Sequence, residues 1–380
     1  MTSADKLALY FHIPFCRRRC SYCSFASTAG RTAEIPAYTR ALINEIGLRR
    51  RLGARVVTVY FGGGTPNLLG VSQVEDILGA VWANYEVAVD AEITLEANPG
   101  TVDGAYLRFL RSSGINRLSL GVQSLDEEEL ELLGRQHSAR EAKEIVKQAR
   151  TAGFTNLSLD FIYGIPGRDL RRWREMLGEI VEFGVEHLSL YALSLEEGTA
   201  MAEAVGRGEM APPDPDDTAK EYELAGEVLG QAGYEQYEIS NWARPGYESR
   251  HNLTYWTGGD YLGLGCGAHS FLNRIRSAGT NYLDTYLAAL GTGRLSTQES
   301  EELSPLLALG EAVMLGLRLN VGVAADDIWA RFKIDLREHF KAEIAELTGL
   351  GLLEDSGGRL RLTPRGRLLG NEVFLRFLPS

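Results

Sequence analysis

Apolar positions in the first half of the chain fall into short runs that alternate with amphipathic stretches. Runs rich in Val, Ile, Leu, Phe and Tyr occupy 7–15, 56–62, 92–97, 117–122, 157–163 and 187–193, as strands buried on both faces do. Between them, apolar residues recur at helical spacing over 36–52, 72–84, 103–113, 126–133 with 139–152, and 169–183. This alternation predicts an α/β fold of parallel βαβ units. Six units are fewer than the eight of a closed barrel. A Pro/Asp stretch, Ala211-Pro-Pro-Asp-Pro-Asp-Asp217, then breaks the pattern. Beyond it the sequence predicts a helix over 218–232 ended by Gly233, a strand over 234–239, a polar segment with His251, and a glycine-rich run over 258–267. Past about residue 304 the chain reads as mainly helical and closes on a hairpin over 350–363 with a Ser356-Gly357-Gly358 turn. Helices followed by such a hairpin suggest a winged-helix-like unit.

Polar groups gather where the first six strands end, the face that carries chemistry in parallel barrels. Strand one runs into Cys16, and strand two into Gly62-Gly63-Gly64-Thr65-Pro66. Strand three ends at Glu96-Ala-Asn98-Pro99 and strand four at Gly121-Val-Gln123. Strand five carries Asp160 and ends at Gly164-Ile-Pro-Gly167; strand six ends around Tyr191 to Ser194.

Three of the four cysteines lie within eight residues, as Cys16-x3-Cys20-x2-Cys23. A cubane iron–sulfur cluster usually takes four thiolates; three on one loop leave one iron open for chemistry. A zinc site wants four ligands, typically two C-x2-C pairs or regularly spaced histidines, and neither follows. A disulfide framework fits poorly in a long chain with so few cysteines.

Composition narrows the partners. Hydrophobic content of 44% and charged content of 24% are those of a globular protein. A net charge of −12 argues against a general nucleic-acid or anionic-membrane binder. Arg17, Arg18 and Arg19 form a local basic triplet, which is usually a solvated loop. No signal-peptide pattern opens the sequence, and no apolar run reaches bilayer length. The thiolate motif suits a reducing compartment, so the expected location is cytoplasmic, with at most peripheral membrane contact.

The phrase Tyr10-Phe-His-Ile-Pro-Phe-Cys16, with C-x3-C-x2-C and an aromatic (Tyr22) before the last cysteine, resembles the radical S-adenosylmethionine superfamily. Within it, the resemblance is to the coproporphyrinogen III oxidase-like (HemN/HemW) family and covers nearly the whole chain. It implies a partial (β/α)6 barrel over 1–210, a family-specific extension over 211–303, and a small C-terminal, mainly helical, winged-helix-like domain over 304–380. It implies a 4Fe-4S cluster on Cys16, Cys20 and Cys23, and S-adenosylmethionine held by Tyr10, Tyr22, Gly63, Gly64, Thr65, Glu96, Gln123, Arg135 and Asp160. Some members use part of this set for a second S-adenosylmethionine. Taken alone, Gly62-Gly63-Gly64-Thr65 is a tight strand-to-helix turn without the Gly-Lys-Ser/Thr ending of a phosphate loop. S-adenosylmethionine gives the polar set a common purpose: carboxylates accept from its ammonium or hydroxyls, and an arginine pairs with its carboxylate.

Oxidase members continue the motif to a fourth cysteine, where this chain has Phe25, and carry an N-terminal extension where only a few residues precede the strand here. The phrase His251-Asn252-Leu-Thr-Tyr255-Trp256 resembles the haem-handling motif of the family's chaperone branch. A histidine can ligate haem iron and aromatics can flank a porphyrin; the alternative is a hydrogen-bonded loop histidine. Cys266 reads as incidental. These features favour a haem chaperone that delivers haem to acceptor proteins, respiratory ones among them, and lacks oxidase activity while retaining the means for reductive S-adenosylmethionine cleavage. No catalytic side chain is assigned, and a homodimer is a family expectation. The alternatives are an oxygen-independent coproporphyrinogen III oxidase and, from the winged-helix-like tail, a nucleic-acid-modifying radical enzyme that the acidic balance opposes.

Overall fold

The computed structural model describes residues 6–51 and 53–379. Residues 1–5, 52 and 380, and with them the expected helix end at Leu52, lie outside the described residues. In chain order the first part runs β1 (Lys6–Ile13), β2 (Phe15–Cys16), β3 (Thr28–Ala29), α1 (Ile35–Leu48), β4 (Arg55–Gly63), α2 (Val71–Asn84), β5 (Glu86–Ala97), α3 (Gly104–Ser112), β6 (Arg117–Gln123), α4 (Glu127–Leu132), α5 (Ala139–Thr151), β7 (Leu157–Tyr163), α6 (Leu170–Glu182) and β8 (His187–Ala192). The middle part comprises α7 (Ala200–Gly206), α8 (Pro215–Gln231), β9 (Glu235–Glu238), β10 (Asn241–Ala243), α9 (Arg250–Trp256), β11 (Tyr261–Leu264), β12 (His269–Leu272), β13 (Ile275–Gly279), α10 (Leu283–Gly291) and β14 (Thr297–Glu302). Then follow α11 (Pro305–Leu317), β15 (Val323–Ala324), α12 (Ala325–Phe332), α13 (Leu336–His339), α14 (Lys341–Gly349), β16 (Leu353–Ser356), β17 (Arg359–Leu362), α15 (Pro364–Leu368) and α16 (Gly370–Leu375).

The expected strands and helices of the first part are present within a few residues, except that β5 begins earlier, at Glu86. Strands β1, β4, β5, β6, β7 and β8 pair in parallel in that order. Their helix-facing residues and the covering helices share one core that includes Phe11, Phe61, Leu95, Leu120, Phe161 and Leu190. Side-chain caps at Asp103, Asp126, Ser138 and Asp169 satisfy the first turns of α3, α4, α5 and α6.

The sheet is twice as wide as the sequence pattern suggests. Twelve strands form it, in the order β14-β13-β12-β11-β1-β4-β5-β6-β7-β8-β10-β9. The glycine-rich run after α9 contains β11, parallel to β1. Gly263 must be glycine, since a Cβ there would lie 2.0 Å from the carbonyl oxygen of His269. The expected polar segment holds α9, capped by Ser249, whose side chain accepts from Asn252 N at 3.3 Å. The buried Glu92 of β5 accepts from Arg250 N and His251 N at 3.1 and 3.0 Å, which fastens α9 to the inside of the sheet with a carboxylate at its positive end.

A second core gathers Leu309, Val313, Leu336, Phe340, Leu360, Phe374 and neighbours. A three-stranded sheet of order β15-β17-β16 sits among these helices, with the hairpin where the sequence places it. Among the described residues, no helix is long and apolar enough to cross a membrane.

Candidate functional site

A cavity of about 400 Å³ opens at the C-terminal ends of the parallel strands. Cys16, Cys20 and Cys23 lie on one wall, and all are free thiols. Cys16 ends the short β2–β3 pairing that closes the cysteine loop. The loop is also fastened to the turn after α4: Ser21 N donates to Leu133 O at 3.2 Å and Ser21 Oγ to Leu132 O at 2.7 Å. Arg19 Nε donates to Cys23 O at 3.0 Å. Among the described residues no three metal-ligating side chains close on a single ion.

The glycine run packs directly behind the first thiol. Gly64 N donates to Ile13 O at 2.8 Å, and a Cβ on Gly64 would lie 2.7 Å from Phe15 O and 3.0 Å from Cys16 Sγ. Gly63 has φ +112, and its Cβ would strike the His12 ring at 2.8 Å. Glycine is therefore required at both positions by the close packing of the strand end on His12 and the cysteine loop. Thr65 Oγ1 reaches Cys16 Sγ at 3.6 Å, and Arg135 Nη1 reaches Cys20 Sγ at 3.4 Å. Arg135 is held by Asn98 Oδ1 and Gly121 O, each at 2.5 Å.

Two carboxylates face the cavity from deeper in the sheet. Glu96 accepts from Tyr60 Oη at 2.7 Å, and burial pushes its pKa up to about 7. Asp160 accepts from Ser119 at 3.1 Å and Ser158 at 3.4 Å; burial raises its pKa too, opposed by these hydroxyls, Ser189 and Arg117. Gln123 has φ +71, and Ser124 N bonds back to Val122 O at 2.9 Å around it. That three-residue turn is of the strained hand, and it directs Gln123 to the cavity wall.

Of the residues expected from sequence, all line this cavity except Tyr10 and His251. Tyr10 lies behind the wall, stacked on Tyr60 with its hydroxyl 3.1 Å from His12 Nδ1. His251 is buried on α9. Its Nδ1 is 2.8 Å from Thr58 Oγ1 and its Nε2 is 2.7 Å from Tyr255 Oη, and burial lowers its pKa to about 3. Both ring nitrogens are occupied, so iron ligation by His251 requires breaking one of these bonds. Phe25, in place of a fourth cysteine, is 66% exposed at the rim.

Sequence reasoning missed Arg117, Tyr60, Ser119 and Ser189, which also line the cavity, as does Asn98, legible only as a polar residue where strand three ends. Arg117 is 2% exposed and has neither a hydrogen-bond nor an ion-pair partner among the described residues. A charge at the start of a mostly apolar strand was its legible signal. His12, also missed, bonds Ala26 O at 2.7 Å under the glycine run.

The radical SAM superfamily model matches residues 10–180, and the HemN C-terminal domain model matches residues 303–369. The chain is 36% identical to the heme chaperone HemW of Lactococcus lactis, over 97% of this chain and 96% of that protein. It is 40% identical to HemW of Mycobacterium tuberculosis, over 96% and 93%. It is 37% identical to the mitochondrial radical S-adenosyl methionine domain-containing protein 1 of Mus musculus, over 100% and 89%. Coproporphyrinogen III oxidase (HemN) from Escherichia coli, a solved structure, is similar with a TM-score of 0.86 at 25% identity, over 99% of this chain and 91% of that one.

Proposed function

This chain belongs to the HemW-type branch of the radical SAM superfamily, and we propose that it is a cytoplasmic haem chaperone carrying a 4Fe-4S cluster and S-adenosylmethionine. Three free thiols on one wall of a strand-end cavity, in a chain similar over almost its whole length to haem chaperones, carry the reading. Cys16, Cys20 and Cys23 would hold the cluster, which when bound supplies an electron for cleavage of a sulfonium C–S bond. Gly63 and Gly64 line the cavity beside Cys16, where the methionyl end of S-adenosylmethionine would lie. Glu96 and Asp160 offer acceptors for its ammonium or ribose hydroxyls, and Arg135 a guanidinium for its carboxylate. Tyr10 and Tyr60 brace the strand ends behind Glu96. The division into 1–210, 211–303 and 304–380 is part of the proposal, supported by the separate second core.

Haem and haem-acceptor proteins are the proposed partners. The test is transfer: reconstituted protein loaded with haem, then mixed with a haem-free acceptor, should give up its haem as the acceptor's own Soret spectrum develops. An acceptor spectrum no faster than with free haem would overturn the chaperone reading. The likeness to HemN favours one rival, the oxidase. Decarboxylation of coproporphyrinogen III under anaerobic, reducing conditions would establish that rival.

A further inference from the structure

The floor of the strand-end cavity holds a buried cation in contact with no anion. Arg117 opens β6, is 2% exposed and lines the cavity. Its Nε is buried without a partner, and with neither hydrogen bond nor ion pair among the described residues the charge is held only through space. An unpaired buried ion is costly, so something must offset it. Register puts Tyr60, Thr94 and Arg117 in one row across β4, β5 and β6. The next inward row carries Glu96, Ser119 and Ser158, and Asp160 follows Ser158 on β7. Arg117 therefore starts one row beneath both carboxyls that face the cavity.

The offset comes from groups one step removed. Burial works against the charge of Arg117, and Glu92, Tyr60, Tyr237 and Asp160 outweigh it, so that its pKa is raised. The effect runs both ways. Burial raises the pKa of Glu96 to about 7 and lifts that of Asp160, and in each case Arg117 pulls it back down. The direct contacts of these carboxyls are taken by others: Glu92 by the amides that open α9, Glu96 by Tyr60, and Asp160 by Ser119 and Ser158. A ligand carboxylate would meet Glu96 and Asp160 on the same floor and be repelled. The guanidinium therefore serves these two carboxyls rather than a ligand's anion.

We propose that Arg117 is a positioning residue, a shared counter-cation that keeps Glu96 and Asp160 ionised beneath the ammonium and sulfonium of S-adenosylmethionine. The inference rests on the S-adenosylmethionine reading of this cavity and adds to it a residue that does not touch the ligand. Two carboxylates over one guanidinium leave the floor net negative, complementary to a cationic ligand. The remaining groups that face it do not change charge near neutrality. Tyr10 on β1, Tyr191 on β8 and Tyr255 on α9 face the carboxyls, and loss of water contact raises the pKa of each. The same cause raises Tyr60 and Tyr237 and lowers His187 and His251, which face Arg117 from β8 and α9. Arg135 stands at the cysteine wall, bonded to Asn98 and Gly121.

The experiment is a calorimetric titration of S-adenosylmethionine into the anaerobically reconstituted full chain, over a pH series that spans about 7. It compares the unaltered protein with Arg117→Met, which removes the cation, and Arg117→Lys, which keeps one. Iron content and melting midpoint are controls for folding. Without the cation the carboxyls hold their protons to higher pH. The rise of affinity with pH should therefore move up by about one pH unit in Arg117→Met, and affinity at neutral pH should fall about tenfold. Arg117→Lys should restore most of the profile. An unmoved midpoint in Arg117→Met would overturn the proposal and leave Arg117 a structural residue. A loss of affinity equal at every pH would overturn it too, since that marks direct contact with the ligand, as would an Arg117→Lys profile matching that of Arg117→Met. Should Arg117→Met fail its folding controls, Arg117→Gln decides by the same midpoint. Absence of saturable S-adenosylmethionine binding by the unaltered protein would instead overturn the reading of the cavity itself.

Discussion

Glu96 is a buried carboxyl whose pKa sits at about 7 because burial disfavours its charge. Above that pH it is an anion able to accept from an ammonium; below it the charge that pairs with the ammonium is lost. S-adenosylmethionine affinity should therefore rise as pH increases through about 7, and Glu96→Gln should bind weakly and without this dependence, as calorimetric titration at several pH values would read. The same raised pKa means that the ligand-free fold keeps a proton the unfolded chain releases. Its contribution to stability is thus lost as pH rises from about 4.5, the ordinary glutamate value, to about 7. Gln123 makes a different trade. Gln123→Gly should relieve the positive φ and raise stability by about 1 kcal/mol, yet lose the side-chain amide and bind the ligand less well, a split that thermal melts and binding isotherms together would show. Cys266 Sγ donates to Thr280 O at 3.2 Å, and burial lifts its pKa to about 12. It stays a thiol, so Cys266→Ala should leave iron content unchanged, whereas alanine at Cys16, Cys20 or Cys23 should abolish it. At this scale the sequence was most legible where chemistry demands rare residue types, as at the cysteines. It was least legible for Arg117 and Tyr60, which matter because the register places Tyr60 beside Tyr10 and turns Arg117 inward.

Among the elements, the β4 end and the cysteine loop are built as one piece. Gly64→Ala must push Phe15 O or Cys16 Sγ aside. It should reduce cluster loading, measured as iron per chain, more than it reduces stability. The parallel strands were legible because each is apolar along its length. Strands β11 to β14 were not, for two physical reasons. Gly263 is required by a close backbone approach, so β11 looks like a loop. Strand β14, Thr297–Glu302, is exposed throughout and shows no apolar alternation. Helix α9 was hidden because its seven residues are too few to display a helical period.

At the scale of the molecule, one sheet carries the cysteine cavity on its inner face, and a second core lies beyond β14. Leu360 is fully buried in that second core. Leu360→Ala should cost about 2–5 kcal/mol there, read as a lower melting midpoint, while iron content and S-adenosylmethionine binding hold. The most direct measurement of the central claim is a Soret titration of ferric haem into anaerobically reconstituted protein, run beside a coproporphyrinogen III turnover assay on the same sample. The chaperone account predicts saturable haem binding with no decarboxylated product; turnover without haem binding would contradict it and make the chain an oxidase.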